Sequence, residues 1–129
     1  MQIVNLYVNF ELVKEVRKLE FYRSLFAKFY GELPAKVQYK YDYVLVIVRQ
    51  AERIPIKFFK KLKDTNGIFE IRVEYASNTY KTFCCYDGNN VIVLFNSIHK
   101  KSAKTPPKEI KKAEKLKKAY FNEKENRSK

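Results

Sequence analysis

"GIFEIRVEYASNTYKTFCCYDGNNVIVLF", residues 67–95, is the stretch that decides the fold. Its first ten residues alternate between two kinds of side chain, with Phe69, Ile71 and Val73 on one face and Glu70, Arg72 and Glu74 on the other. This period of two predicts a half-buried strand. SNTY then turns the chain into a second strand over 80–86, and DGNN at 87–90 is a strong hairpin signal before VIVLF at 91–95. We therefore predict three antiparallel strands, with the last one central because it is apolar on both faces.

The chain after this stretch predicts a loop and then a helix. Residues 97–105 have no strand or helix periodicity and predict a loop, and Pro106 or Pro107 suits the first turn of a helix. An apolar stripe at helical spacing follows, formed by Ile110, Ala113, Leu116, Tyr120 and Phe121. Residues 122–129 lack apolar side chains, so we expect a frayed basic tail there.

The N-terminal half predicts a short strand and two helices. Residues 16–22 resemble a short strand, and residues 21–33 place five large apolar side chains on one helical face. Residues 35–54 are rich in β-forming residues, but their apolar side chains fall at helical spacing, so we predict a second helix there. Residues 1–15 are an N-terminal extension whose structure the sequence does not indicate.

The order of these elements predicts an α+β fold in a single domain over residues 1–129. We expect a small antiparallel-rich sheet with two N-terminal helices and a C-terminal helix. We expect the helices to cover one face of the sheet and to leave the other face free for a functional site.

Charge is the strongest signal in the composition. Lys and Arg total 27 against 14 acidic residues, which gives a net charge of +13. The region from His99 to Lys129 holds 12 basic and 4 acidic residues. A field of this size attracts polyanions such as nucleic acids, RNA-rich particles and anionic membranes. The alternative is ordinary solubility charge with a basic tail.

Other classes of protein are disfavoured. No apolar run approaches the ~20 residues that cross a bilayer, and the first residues lack the pattern of a signal peptide, so we expect a cytoplasmic protein without a membrane partner. Cys84 and Cys85 are adjacent, and the chain has one histidine, so a zinc site of the usual spacing is not expected. We expect no metal and no cofactor.

Four motifs occur in order between residues 62 and 106: Leu62 with Gly67, then Phe69-Glu70-Ile71-Arg72, then Tyr80-Lys81, then Ile98 to Pro106 with the sequence IHKKSAKTP. With this order and spacing the chain resembles RelE/ParE-superfamily toxins of type II toxin–antitoxin systems, and most of all their HigB-like, phage-derived branch. The resemblance is loose over 21–121 and close over 62–113. Lys81 stands where that family usually has arginine, so the charge is kept but the bidentate guanidinium fork is lost.

The resemblance implies a RelE-like fold and a metal-independent endoribonuclease that cuts mRNA in the ribosomal A site and thereby inhibits translation. It also implies contact with ribosomal RNA and inhibition by a cognate antitoxin with a helix-turn-helix. Two alternatives from other classes stay open. ParE-like relatives poison DNA gyrase without cutting RNA, and a catalytically inactive RNA-binding domain would bind through charge alone.

Four cations are the candidate catalytic residues: Arg72, Lys81, Lys100 and Lys101. On an exposed sheet face they could converge on an RNA phosphate, with Arg72 and Lys101 holding the phosphate and Lys81 stabilising the transition state. Close cations lower each other's pKa, so one lysine could exchange protons near neutral pH. Glu70 is a possible base. The ordinary alternative for Arg72 is an exposed strand residue that pairs with Glu70 or Glu74.

Eight further residues are candidate RNA contacts: Lys60, Lys61, Lys63, Tyr80, Asn96, His99, Lys104 and Lys108. The lysines could follow phosphates of mRNA or rRNA, although for the first three a solvated helix end explains them equally well. Tyr80 could stack on a base or belong to the core. Asn96 could orient a base or bond to the backbone, and His99 is more often incidental than a general base in such a loop.

Overall fold

The computed structural model describes residues 15–101 and 104–128. The elements in chain order are β1 (Lys18–Phe21), α1 (Leu25–Gly31), α2 (Ala35–Gln50), β2 (Phe59–Lys61), β3 (Phe69–Tyr75), β4 (Asn78–Asp87), β5 (Val91–Lys100) and α3 (Pro107–Arg127). The predicted α+β class, with two N-terminal helices, an antiparallel-rich sheet and a C-terminal helix, is confirmed, and the arrangement is that expected of a RelE-like fold. The predicted N-terminal extension, apart from Glu15, lies outside the described residues.

The sheet has five strands in the order β1-β5-β4-β3-β2. The β1 strand is parallel to β5, and the other three pairs are antiparallel. Strand β5 is paired on both edges, as expected from its apolar character on both faces. Strand β2 was not predicted, because its three residues, Phe59–Lys61, are too short to show a periodic pattern.

An extra residue in β5 changes the alternation of its side chains. Cys84 pairs with Leu94 and Thr82 pairs with Ser97, so two steps along β4 correspond to three steps along β5. Such a β-bulge returns Ile98 to the face of Phe95. The prediction of a loop over residues 97–105 was therefore wrong for its first part, because β5 continues through the bulge as far as Lys100.

One face of the sheet, which we call the α2 face, carries the largest core cluster. It joins α1 and α2 to the sheet through Phe26, Val37, Tyr41, Val44, Leu45, Val48, Ile71, Val73, Cys84, Ile92 and Leu94. The helical spacing of the apolar residues in α2 thus overrides their β propensity, because only a helix buries them all on one side. The hydroxyl of the buried Tyr41 is hydrogen-bonded to Thr82 Oγ1 at 2.9 Å, which satisfies both polar groups inside this core.

The opposite face, which we call the α3 face, is covered in part by α3. Two smaller clusters form there, one around Phe95 and Tyr120 and the other around Phe83 and Ala113. The Tyr120 hydroxyl also donates to Asp87 Oδ2 at 2.6 Å. The expectation that all helices lie on one face of the sheet was therefore wrong.

The uncovered part of the α3 face lies toward the turn between β3 and β4, because α3 starts at Pro107 beside Asn96 and runs away from that turn. The helix continues to Arg127, past residue 122, where the sequence predicted the start of a frayed tail. Within the described part of the chain, no helix is both long enough and apolar enough to span a bilayer.

The turn between β3 and β4 provides a stability test of the hairpin. Tyr75 pairs with Asn78, and the two residues between them, Ala76 and Ser77, have positive φ angles of 47° and 69°. Each such angle costs a residue with a Cβ atom about 1 kcal/mol. We expect Ala76→Asn combined with Ser77→Gly to raise the free energy of unfolding by about 1–2 kcal/mol in urea denaturation. Ser128→Gly, at a φ of −81°, is the control and should give no gain; a loss of stability in the turn variant would contradict this view of the turn.

Candidate functional site

The register of the sheet brings several predicted site residues together on the α3 face. Arg72 of β3 is directly opposite Lys81 of β4, and Thr79, two residues before Lys81, is opposite Lys100 of β5. Lys60 of β2 is opposite Glu70 and so joins the same face from the edge of the sheet. Paired residues in antiparallel strands point to the same side. Three of the four predicted catalytic cations therefore share one end of this face, which we call the cation cluster.

Arg72 is a partly accessible member of this cluster, with 26% of its side chain exposed. Its Nε atom lies 2.9 Å from Glu74 Oε1, although the N–H bond does not point at that oxygen. Of the two partners considered from the sequence, Arg72 thus pairs with Glu74. Glu74 is 65% exposed, so the pair is a solvent-screened contact that an incoming anion can compete with.

Lys81 is buried, which the prediction of an exposed sheet face did not anticipate. Its Nζ atom donates to Thr105 Oγ1 at 2.6 Å and lies 3.6 Å from Glu70 Oε1, and the Glu70 side chain is also buried. Burial lowers the pKa of Lys81, the charge of Glu70 opposes that shift, and the charges of Arg72 and Lys60 add to it. Glu70 therefore pairs with Lys81, and it is not in the position of an accessible base.

Thr105 belongs to the IHKKSAKTP motif, but it was not predicted to be a site residue. It belongs to the segment between β5 and α3, and it reaches Lys81 from 24 residues further along the chain. No local pattern in the sequence indicates such a contact. The Lys81 ammonium is thus covered by Thr105.

Lys100 and Lys101 end up in different surroundings. Lys100 is half-buried at the last position of β5, whereas Lys101 is exposed just after it. Lys101 lines a shallow depression together with the β3–β4 turn and with Glu74, the partner of Arg72. Lys101 is therefore next to the cation cluster, at its rim.

Tyr80 and His99 lie on the other side of the sheet, on the α2 face. Tyr80 is buried, and its ring stacks on that of His99 with centroids 4.4 Å apart. The ring of Tyr41 contacts Tyr80 edge-on. His99 is also hydrogen-bonded to Asn78 Oδ1 at 2.9 Å. The structure thus places these two residues apart from Arg72 and Lys81, and it gives Tyr80 the core position that was one of its two interpretations.

Asn96 connects the β-bulge to the start of α3. Its Nδ2 atom donates to the backbone carbonyl of Glu109 at 3.1 Å and to Glu109 Oε1 at 3.2 Å, and the residue is 4% exposed. Of its two interpretations, the bond to the backbone is the one observed.

The remaining predicted RNA contacts are exposed lysines at the border of the site. Lys60 and Lys61 belong to the edge strand β2, not to the end of a helix, and Lys63 follows them in a turn. Lys104 and Lys108 flank the first residues of α3. These side chains form a broad positive border around the cation cluster. Among residues 15–101 and 104–128, no group of three or more His, Cys, Asp or Glu side chains is placed to hold a metal ion.

Comparison with models of protein families gives a match. A family model described as phage derived protein Gp49-like (DUF891) matches residues 28–118. This range includes Arg72, Lys81 and Thr105. A search of curated proteins found no match.

The buried ion pair can be tested through stability. We expect Lys81→Met to lower the free energy of unfolding by about 3 kcal/mol, because it leaves the Glu70 carboxylate buried without this partner. The double change of Lys81→Met with Glu70→Gln should cost clearly less, since no isolated charge remains. Urea denaturation of the three proteins measures both differences.

Lys124→Met is the matched control for this experiment. Lys124 pairs with Asp87 at 2.6 Å but is 49% exposed, so its loss should cost under about 1 kcal/mol. If Lys81→Met were as mild as Lys124→Met, the Glu70–Lys81 pair would not be a structural element of the site.

Proposed function

We propose, because the chain belongs to the Gp49-like family of phage-derived proteins, that it is the toxin of a type II toxin–antitoxin system and that it cleaves mRNA in the ribosome. The family is one of RelE/HigB-like toxins, which supports the first part. The second part is supported by one observation above all, the convergence of Arg72, Lys81 and Lys100 on one end of the α3 face. A single toxin domain over residues 1–129 is part of the proposal.

The reaction that fits this site needs cations but no metal. The ribose 2′-hydroxyl loses its proton and attacks the adjacent phosphorus, so that a bond from O2′ to phosphorus forms. The bond from phosphorus to O5′ breaks, and the O5′ oxygen takes up a proton. The products are a 2′,3′-cyclic phosphate and a 5′-hydroxyl end. Negative charge grows on the equatorial oxygens and on the leaving oxygen, so fixed cations directed at these atoms lower the barrier.

Arg72 is the residue proposed to bind the scissile phosphate. Its guanidinium is partly exposed, and its contact with Glu74 is not an aligned hydrogen bond. A phosphate offers two oxygens that match the guanidinium fork, which Glu74 in its present position does not use. Lys101, exposed at the rim, adds a second positive charge next to the same position.

Lys81 is proposed to act after an exchange of partners. In the structure its Nζ atom donates to the neutral hydroxyl of Thr105. A phosphate oxygen carries charge and is the stronger acceptor, so bound RNA would take the place of Thr105. The pKa of Lys81 is lowered by burial, which brings it closer to the range in which a lysine exchanges protons near neutral pH.

The basic border supplies the proposed contacts with longer RNA and with the ribosome. Exposed lysines hold phosphates without regard to sequence, so Lys60, Lys61, Lys63, Lys104 and Lys108 are suited to mRNA and rRNA backbones. The cognate antitoxin would keep this surface away from the ribosome. Because the ribosome is the proposed target, the toxin would act in the cytoplasm.

The role of Arg72 can be measured in an in vitro translation reaction. We expect the purified protein to cut mRNA only in the presence of ribosomes and to leave 5′-hydroxyl ends, which primer extension and end-labelling detect. Arg72→Ala should slow the cleavage by about 100-fold, because one preorganised contact with the transition-state charge is lost. Lys101→Ala should slow it as well, but less, since that side chain lies at the rim.

Arg23→Ala is the matched control, since Arg23 is an exposed arginine that pairs with Glu123. It should leave the rate of cleavage unchanged. Full activity of both Arg72→Ala and Lys101→Ala would refute the site. RNA binding by the wild-type protein without any cleavage would favour the catalytically inactive alternative, and DNA damage with intact mRNA would favour the gyrase inhibitor.

A further inference from the structure

Three large apolar side chains on α2 and in the segment after it are more than half exposed. Tyr39 and Tyr43 lie one turn apart on the outer side of α2 and are 57% and 55% exposed, and Ile56, in the segment that follows α2, is 76% exposed. The opposite side of α2 is buried in the core. Isolated exposed apolar residues are common, but two aromatic rings one turn apart on an exposed helix face indicate a binding surface.

A groove lies beside Tyr43, and we call it the α2 groove. It is lined by Lys40, Tyr43, Lys57, Phe58, Arg72 and Glu74. Three of these side chains are cations and one is an anion, and the anion is already paired with Arg72. The groove is thus positive, and it shares Arg72 with the cation cluster.

Cations and aromatic rings alternate within this groove. Lys40 Nζ lies 5.6 Å from the centre of the Tyr43 ring, and Lys57 Nζ lies 4.9 Å from the centre of the Phe58 ring. The rings of Tyr43 and Phe58 contact each other edge-on, with centroids 6.1 Å apart. Alternating rings and cations of this kind are what single-stranded nucleic acid requires, because bases stack on the rings while phosphates contact the cations.

We infer that the α2 groove binds the single-stranded RNA next to the phosphate held by Arg72. Bases stack on Tyr39 and Tyr43, and the phosphates between them contact Lys40 and Lys57. The inference rests on the proposed function for the identity of the strand. The shared Arg72 favours RNA over a protein partner, because a strand gripped at Arg72 must leave the site along a neighbouring surface and this groove opens from that residue.

Binding can be measured separately from cleavage. The probe is a fluorescein-labelled 12-nucleotide oligouridine with 2′-O-methyl riboses, which cannot be cut because the attacking hydroxyl is blocked. In fluorescence anisotropy, we expect Tyr39→Ala with Tyr43→Ala to weaken binding by at least about tenfold, because stacking is lost. Tyr39→Phe with Tyr43→Phe keeps both rings and should stay within about twofold of the wild type.

A charge-matched comparison separates RNA binding in the groove from the general electrostatic attraction of RNA to a basic protein. Lys40→Ala with Lys57→Ala removes two positive charges from the groove, and Lys18→Ala with Lys28→Ala removes two from exposed positions on β1 and α1. We expect the first pair to weaken binding several times more than the second at the same salt concentration. Urea denaturation of every variant checks that folding is retained. Equal effects of the two pairs would overturn the inference.

The outcomes distinguish this inference from the proposed function. If the wild-type protein does not cleave mRNA but the tyrosine and lysine variants lose oligouridine binding, the proposed function is refuted and RNA binding by the α2 groove is supported. If the wild-type protein cleaves mRNA but the alanine variants bind oligouridine as well as the wild type does, RNA binding by the α2 groove is refuted and the proposed function is supported. Unchanged RNA binding together with lost co-purification of the antitoxin would overturn the inference and assign this surface to a protein partner.

Discussion

The extra residue of β5 opposite Phe83 is the constraint on which the rest of the structure depends. It lets β5 remain paired with β4 over its full length while the side chains of its second half change sides. Without it, Ile98 would point away from the cluster of Phe83 and Ala113, and His99 would leave the ring of Tyr80. The bulge therefore decides which of the last residues of β5 meet the cations and which meet the core.

Much of the fold could be predicted from the sequence, because the turns of its hairpins are short and the apolar and polar residues of β3 alternate regularly. The prediction of a helix from the apolar spacing of residues 35–54, against their β propensity, was correct as far as Gln50, and the buried side of α2 contributes to the largest core cluster. The position of α3 was missed. Phe83 and Cys85, on the same side of β4 as Lys81, indicated that this face would be partly covered, but their partners come from a helix distant in sequence.

The site was predictable only where the strand register alone determines it. Arg72 and Lys81 meet because a two-residue turn fixes which residues of β3 and β4 are opposite each other. Tyr80 could have been separated from Lys81 by alternation, since neighbours in a strand point to opposite sides. The burial of Lys81 under Thr105 could not be inferred, because an irregular segment has no period. The structure thus changes Lys81 from an expected exposed cation to a buried one that contacts Glu70 and Thr105.

The parallel pairing of β1 with β5 has a consequence for the order in which the chain folds. Strands β3, β4 and β5 follow one another through short turns, whereas β1 must wait for β5, which is the last strand to be synthesised. Contacts so distant in sequence close slowly. During synthesis β1, α1 and α2 emerge first and have no sheet on which to bury their apolar sides. The N-terminal half is therefore the part of the nascent chain that is most prone to aggregation. It reaches its folded form only when β5 has been synthesised and pairs with β1.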